Sequence, residues 1–161
     1  MVAGPENDRG GRPGGGNRAV KEAVEVGRFH FRFECQAGCT NCCTQNGHVY
    51  LTEEDIGGMA GRLGMTREAF EGRYVNSKDD QPRLNMKLAE RCHFLEEGRC
   101  RIHQVKPLQC RVFPYWPENV RTKRAWHGLR KYCPGVGAGE LVQIGEVRRE
   151  AEAYREAFPD L

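Results

Sequence analysis

Four cysteines fall within nine residues in the stretch Cys35-Gln36-Ala37-Gly38-Cys39-Thr40-Asn41-Cys42-Cys43, and four more follow at Cys92, Cys100, Cys110 and Cys133. Thiols this dense have few uses: disulfides, zinc, an iron–sulfur cluster, or core filling. Packing alone is a poor reason to crowd them. Zinc and iron–sulfur centres both take soft, tetrahedral sulfur ligands, so thiolates in this pattern suit either. The Cys39-x-x-Cys42 spacing lets one tight turn offer two ligands. Cys42 and Cys43 add a constraint. Adjacent side chains in extended backbone point to opposite sides, so the pair is expected to diverge and to serve two metals, or two irons of one cluster.

The expected compartment bears on the same choice. The opening residues MVAGPENDRGGRPGGGNR hold no apolar leader-like run. Nothing along the chain approaches the ~18 apolar residues of a membrane span. A cytoplasmic protein with no membrane partner is expected, and there thiols stay reduced, which favours metal over structural disulfides. The chain has 161 residues, 39% hydrophobic and 29% charged. That is one domain with a lean core, which a bound metal would reinforce. A net charge of +3 is too mild to argue for nucleic acid as a partner.

The elements that must position these thiols can be read from periodicity. Residues 1–17 are rich in Gly and Pro and read as a disordered tail, leaving 18–161 as the metal-binding domain. Ala19 to Val26 reads as a short helix. Phe29, Phe31, Phe33 and Cys35 alternate with polar residues, a half-buried strand that would deliver Cys35 on its apolar face. His48–Leu51 is a second short strand. Thr52-Glu53-Glu54-Asp55 is a capping box opening a helix to about Leu63, and Thr66 caps another to about Val75. Gly57, Gly58 and Gly61 weaken the first of these, so something should pack closely on them. Leu84, Met86 and Leu88 alternate beyond a polar loop. RCHFLEEGRCRIH reads as a hairpin turning at Glu96-Glu97-Gly98, with Phe94 facing Cys100 and both cysteines on one face. Pro107 starts a helical turn carrying Cys110 and Arg111. Val120–Trp126 reads as an edge strand, GVGAG after Cys133-Pro134 as a tight glycine turn, and Glu140 to Phe158 as the last helix. The helix stripe is Ile144, Val147, Ala151, Tyr154 and Phe158. Together these predict a small α+β domain organised by metal, with two or three short strands or a hairpin and about four helices.

The first cysteine cluster, VYLTEEDI, CHFLEEGRCRIHQVKPLQCRVFP and CPGVGAG together resemble the YkgJ-type cysteine-cluster family, described as zinc- or iron-chelating with a CxxCxxCC signature. The resemblance runs from about Phe33 to Gly139. Here Cys35 and Cys39 are separated by three residues rather than two, and His103 and Lys106 stand where members often have Tyr and Arg. The flagellin lysine N-methylases are a larger relative, and the resemblance implies for them an iron–sulfur cluster in this domain. The Cys35-x3-Cys39-x2-Cys42 spacing is also similar to the motif of radical S-adenosylmethionine enzymes, but the βα repeat those enzymes need is absent.

All eight cysteines are therefore candidate ligands, converging on one centre or two adjacent ones. An iron–sulfur cluster is preferred to zinc, partly for the Cys133-Pro134 turn. The role would be redox, metal handling or support of a protein partner. Two other readings stand behind it. One is an enzyme or enzyme subunit for protein modification, by the likeness to the flagellin methylases. The other is a zinc-stabilised nucleic-acid module using Arg121, Lys123, Arg124 and Trp126. His103 is a weaker candidate ligand, and Arg111 a candidate counter-charge for the thiolates.

Overall fold

The computed structural model describes residues 23–77, 81–86 and 91–161. The tail expected over residues 1–17, the first part of the Ala19–Val26 helix, and Leu88 lie outside the described residues. The class is α+β: among the described residues, six α-helices and three antiparallel strand pairs, more of each than the sequence suggested. The elements are β1 (Phe31–Phe33), α1 (Glu53–Arg62), α2 (Arg67–Tyr74), β2 (Val75–Asn76), β3 (Arg83–Leu84), β4 (Leu95–Glu96) and β5 (Arg99–Cys100). They continue with α3 (Leu108–Arg111), α4 (Pro117–Val120), α5 (Lys123–Gly128), β6 (Val136–Val142) and α6 (Ile144–Ala157).

The helix starts follow their caps. Thr52 Oγ1 accepts from Asp55 N at 3.1 Å, and Asp55 Oδ2 accepts from Thr52 N at 2.9 Å, the reciprocal capping box that opens α1. Thr66 caps α2 through Ala69 N. Gly57 and Gly61 face open space rather than a close neighbour, so the expected packing on α1 is not what they serve.

Three cores form. Val24, Phe31, Val120, Trp126, Leu129, Val136, Val147 and Ala151 make the largest, between β1, α4, α5, β6 and α6. Leu51, Ile56, Met59, Phe70, Leu84, Phe94 and Ile102 make a second beneath α1, α2 and the β4–β5 hairpin. Val112, Tyr154 and Phe158 form a smaller third.

Several expectations need correction. Residues 23–26 are not helical, though Val24 is buried. Val120–Trp126 is not a strand: Pro117 sits at the first turn of α4, and Thr122 Oγ1 caps α5 through Ala125 N. A strand would bury Thr122 and Arg124 on the same face as Val120 and Trp126; the two short helices bury Val120 and Trp126 and leave Thr122 and Arg124 exposed. GVGAG opens in a turn at Gly135, as expected, but from Val136 it runs on into β6, which pairs with β1 and delays the last helix to Ile144. Ile144, counted in the buried stripe, is 44% exposed, while Val147, Ala151, Tyr154 and Phe158 are buried as expected. The β1–β6 register slips between Arg32 and Phe33. This ends the alternation early, so Cys35 lies exposed past the strand rather than on its apolar face.

Candidate metal centre

The cysteine loop begins where β1 ends. Glu34 N donates to Gly135 O at 3.1 Å, tying its start to the Cys133 turn. Gly135 permits that approach: a Cβ there would stand 2.5 Å from Glu34 O. Further along, Asn41 Nδ2 donates to Tyr132 O at 2.8 Å, a second tie to the residue before Cys133. Asn41–Cys43 then winds into a 3₁₀ turn. At its end Cys92 N donates to Cys43 O at 3.0 Å, which brings in the hairpin.

That 3₁₀ turn overturns one expectation. Cys42 and Cys43 do not diverge. Tight winding replaces the extended backbone and keeps the two thiols close enough to shift each other: the neighbouring Cys43 lowers the Cys42 pKa, and the neighbouring Cys42 raises that of Cys43. Lys106 adds to the lowering at Cys42 by its positive charge.

The hairpin register also differs. Leu95, not Phe94, faces Cys100, and Glu96 faces Arg99. The turn is the two residues Glu97 (φ 48°) and Gly98 (φ 71°), a left-handed pair matching strand twist. Cys92 lies before β4, where Leu95 N returns to Cys92 O at 3.0 Å. Cys92 and Cys100 are still neighbours: each is half-buried against the second core, and the charge of Cys100 helps raise the Cys92 thiol pKa after burial, the larger cause.

Cys110 arrives on α3 as expected. Burial pushes its pKa up to about 12, and the charges of Cys92, Cys42 and Cys100 add to that. Five thiols from three chain segments, the cysteine loop, the hairpin and α3, thus share one electrostatic neighbourhood: Cys42, Cys43, Cys92, Cys100 and Cys110. Cys133 stands elsewhere. It packs on the first core, its pKa is raised chiefly by burial, and the thiols it feels are Cys39 and Cys35. All eight cysteines are free of disulfides. Among the described residues, no three Cys, His, Asp or Glu side chains form a ready cage for an ion. The fit to a metal is one of donor chemistry: soft thiols, unpaired, gathered from distant segments.

Two residues that position Cys110 escaped the sequence reading. Asp55, buried within α1, uses its second oxygen: Oδ1 accepts from Leu108 N at 2.9 Å and so holds the start of α3. Gln109 is buried beside Cys110. Its Oε1 accepts from Tyr50 N at 2.6 Å, and its Nε2 donates to His48 O at 3.2 Å. The capping box gave a role for Asp55 at α1 but no sign of the contact with α3. Gln109 carried no signal, since a Gln between Leu and Cys is unremarkable in sequence.

The remaining candidates fare differently. His103 is exposed at the start of a 3₁₀ turn. Arg111 is exposed and donates to Lys106 O at 3.4 Å; the cation whose charge reaches Cys42, Cys100 and Cys110 is Lys106. Arg121, Lys123 and Arg124 are exposed, but Trp126 is 1% exposed, so the basic patch lacks the aromatic face that would stack a base. Among the described residues, no helix is long and apolar enough to cross a membrane.

A family model described as "CxxCxxCC: Putative zinc- or iron-chelating domain" matches residues 34–134, a span that contains all eight cysteines. No solved structure matches the chain.

Proposed function

The chain belongs to the CxxCxxCC family of zinc- or iron-chelating domains, and on that premise we propose that its principal centre is held by Cys42, Cys43, Cys92, Cys100 and Cys110. What supports this reading is that five unpaired thiols, from the cysteine loop, the hairpin and α3, lie close enough to influence one another's titration. Sequence spacing alone could not require it. The hairpin rests on the second core, and α3 is tied to α1 by Asp55.

The metal we favour is iron, as an iron–sulfur cluster. Cys42 and Cys43 are adjacent in one tight turn, and a cluster offers neighbouring irons to neighbouring sulfurs. A bound cluster would supply one-electron redox chemistry. The protein's own groups prepare the site. Lys106 offsets thiolate charge, the second core shields Cys92 and Cys100, and Cys110 must give up a tightly held proton on binding. The role is redox, metal handling or support of a protein partner, in a reducing compartment.

The test is metal analysis and absorption of protein isolated without oxygen. Iron with absorption near ~400 nm is the expected result. A colourless protein holding stoichiometric zinc would overturn the choice of metal, and full metal retention in Cys92→Ser, Cys100→Ser and Cys110→Ser would overturn the site.

A further inference from the structure

The three thiols outside the principal centre are held together by backbone ties of their own. The loop from Cys35 to Cys39 is anchored at both ends to residues flanking Cys133. Glu34 N bonds to Gly135 O at 3.1 Å on one side, and Asn41 Nδ2 bonds to Tyr132 O at 2.8 Å on the other. Cys35 and Cys39 are therefore strung between the two anchors, over the turn that carries Cys133. The turn is itself fixed, with Cys133 N donating to Leu129 O at 2.8 Å and Val136 N to Cys133 O at 3.2 Å. Cys133 packs against the first core, the one built by β1, α5, β6 and α6. Cys92 and Cys100 pack against the second. The two groups of thiols are thus mounted on different cores and share only the cysteine loop.

We infer that Cys35, Cys39 and Cys133 form a second, solvent-facing site for a thiophilic divalent cation, distinct from the five-thiol centre. The inference rests on the metal-binding reading of the chain. Exposure is alike in the two groups, each with one exposed thiol, Cys35 or Cys42, and the rest half-buried; what separates them is the core on which each is mounted, the first for Cys133 and the second for Cys92 and Cys100. Binding requires the exposed Cys35–Cys39 turn to close onto Cys133, since the three thiols do not form a ready cage. Three thiolates leave a fourth position of a tetrahedral ion for water or for a ligand from outside. That arrangement belongs to zinc sites that exchange or react rather than to closed structural ones. The second site is accordingly one where metal enters or leaves, while the principal centre retains its own.

The test uses the full chain, isolated without oxygen with its metal and supplemented with zinc alone. Brief exposure to a chromophoric chelator should release one class of bound metal ahead of the rest. Mass-spectrometric mapping of alkylation should show Cys35, Cys39 and Cys133 becoming reactive together at that stage, with Cys92, Cys100 and Cys110 still protected. Cys35→Ser and Cys133→Ser should each lose only the quickly released equivalent. Cys100→Ser should lose the slowly released metal and keep the other. Reactive Cys35, Cys39 and Cys133 at full zinc load would overturn the inference, as would release of all protection in one step or loss of all metal in Cys133→Ser; the five-thiol centre would survive the first of these. A chain that takes up no metal at all overturns both readings. The alkylation map needs no variant, so it decides even where a substitution prevents folding.

Discussion

Asp55 offers a test of how the fold holds Cys110 in place. Its carboxylate is buried and accepts two backbone N–H groups, from Thr52 at 2.9 Å and from Leu108 at 2.9 Å. One bond closes the cap of α1; the other fixes the first residue of α3, two positions before Cys110. Asp55→Ala removes both acceptors and leaves two donors at helix starts without a partner. A hydrogen bond to a charged group contributes about 1.5–3 kcal/mol. Both bonds are only partly buried, so water can replace them in part, and the sum falls near the lower end, about 3–4 kcal/mol. For a domain of this size about 2–4 °C is lost per kcal/mol, so the melting temperature should drop by roughly 10 °C. Asp55→Asn retains one carbonyl oxygen and should cost about half as much. Denaturant and thermal melts of both variants measure this, alongside the rate of metal release, which should rise more in the Ala variant because α3 is freed. An Asp55→Ala protein within about 0.5 kcal/mol of the parent, the range of an inert surface change, would refute the reasoning.

Gly135→Ala should drive the Cys133 turn away from Glu34, because the new Cβ would stand 2.5 Å from Glu34 O; a cost of about 1–3 kcal/mol is expected from overpacking, with loss of the quickly released metal, both read by melts and chelator release. Trp126→Ala should cost about 3–5 kcal/mol in denaturant melts, as the largest fully buried side chain of the first core. Tyr154 has its pKa raised to about 12, chiefly by burial. Its folded-state pKa lies above the ordinary value of about 10, so its contribution is complete below that pH and lost as pH rises toward about 12. Tyr154→Phe should therefore flatten the fall in unfolding free energy between those limits, measured against the parent at matched pH.

Local signals in the sequence were legible where one residue decides one geometry. Thr52 and Thr66 begin the helices they were expected to begin, because a cap is settled by a side chain and a backbone three residues away. Pro107 stands before α3 for the same kind of reason. The errors lie where tertiary partners override a local pattern. GVGAG has the composition of a turn, yet after Gly135 it continues into strand because β1 offers a partner to Val136 and, beyond the glycines, to Leu141 and Val142. Val120–Trp126 reads locally as an edge strand, but two short helices that carry Val120 and Trp126 into the first core win over that reading. The hairpin was found but set one residue out of register, since Glu96-Glu97-Gly98 does not itself say whether its turn holds two residues or three.

The site follows the same division. That the cysteines are unpaired thiols could be read from their number and type, but which of them lie near one another could not. That depends on Asn41, whose side chain ties the loop to Tyr132, and on Cys43, whose carbonyl ties it to Cys92. Between these two anchors the chain winds only from Asn41 to Cys43. Cys39 is thereby left with Cys133, and Cys42 is sent toward Lys106 and the hairpin, although the Cys39-x-x-Cys42 spacing invites assigning both to one ion. A CxxC pair binds one metal when its turn is free to fold both thiols inward. Here the turn is pulled at either end toward a different core, and the same spacing sends its two thiols to different neighbourhoods.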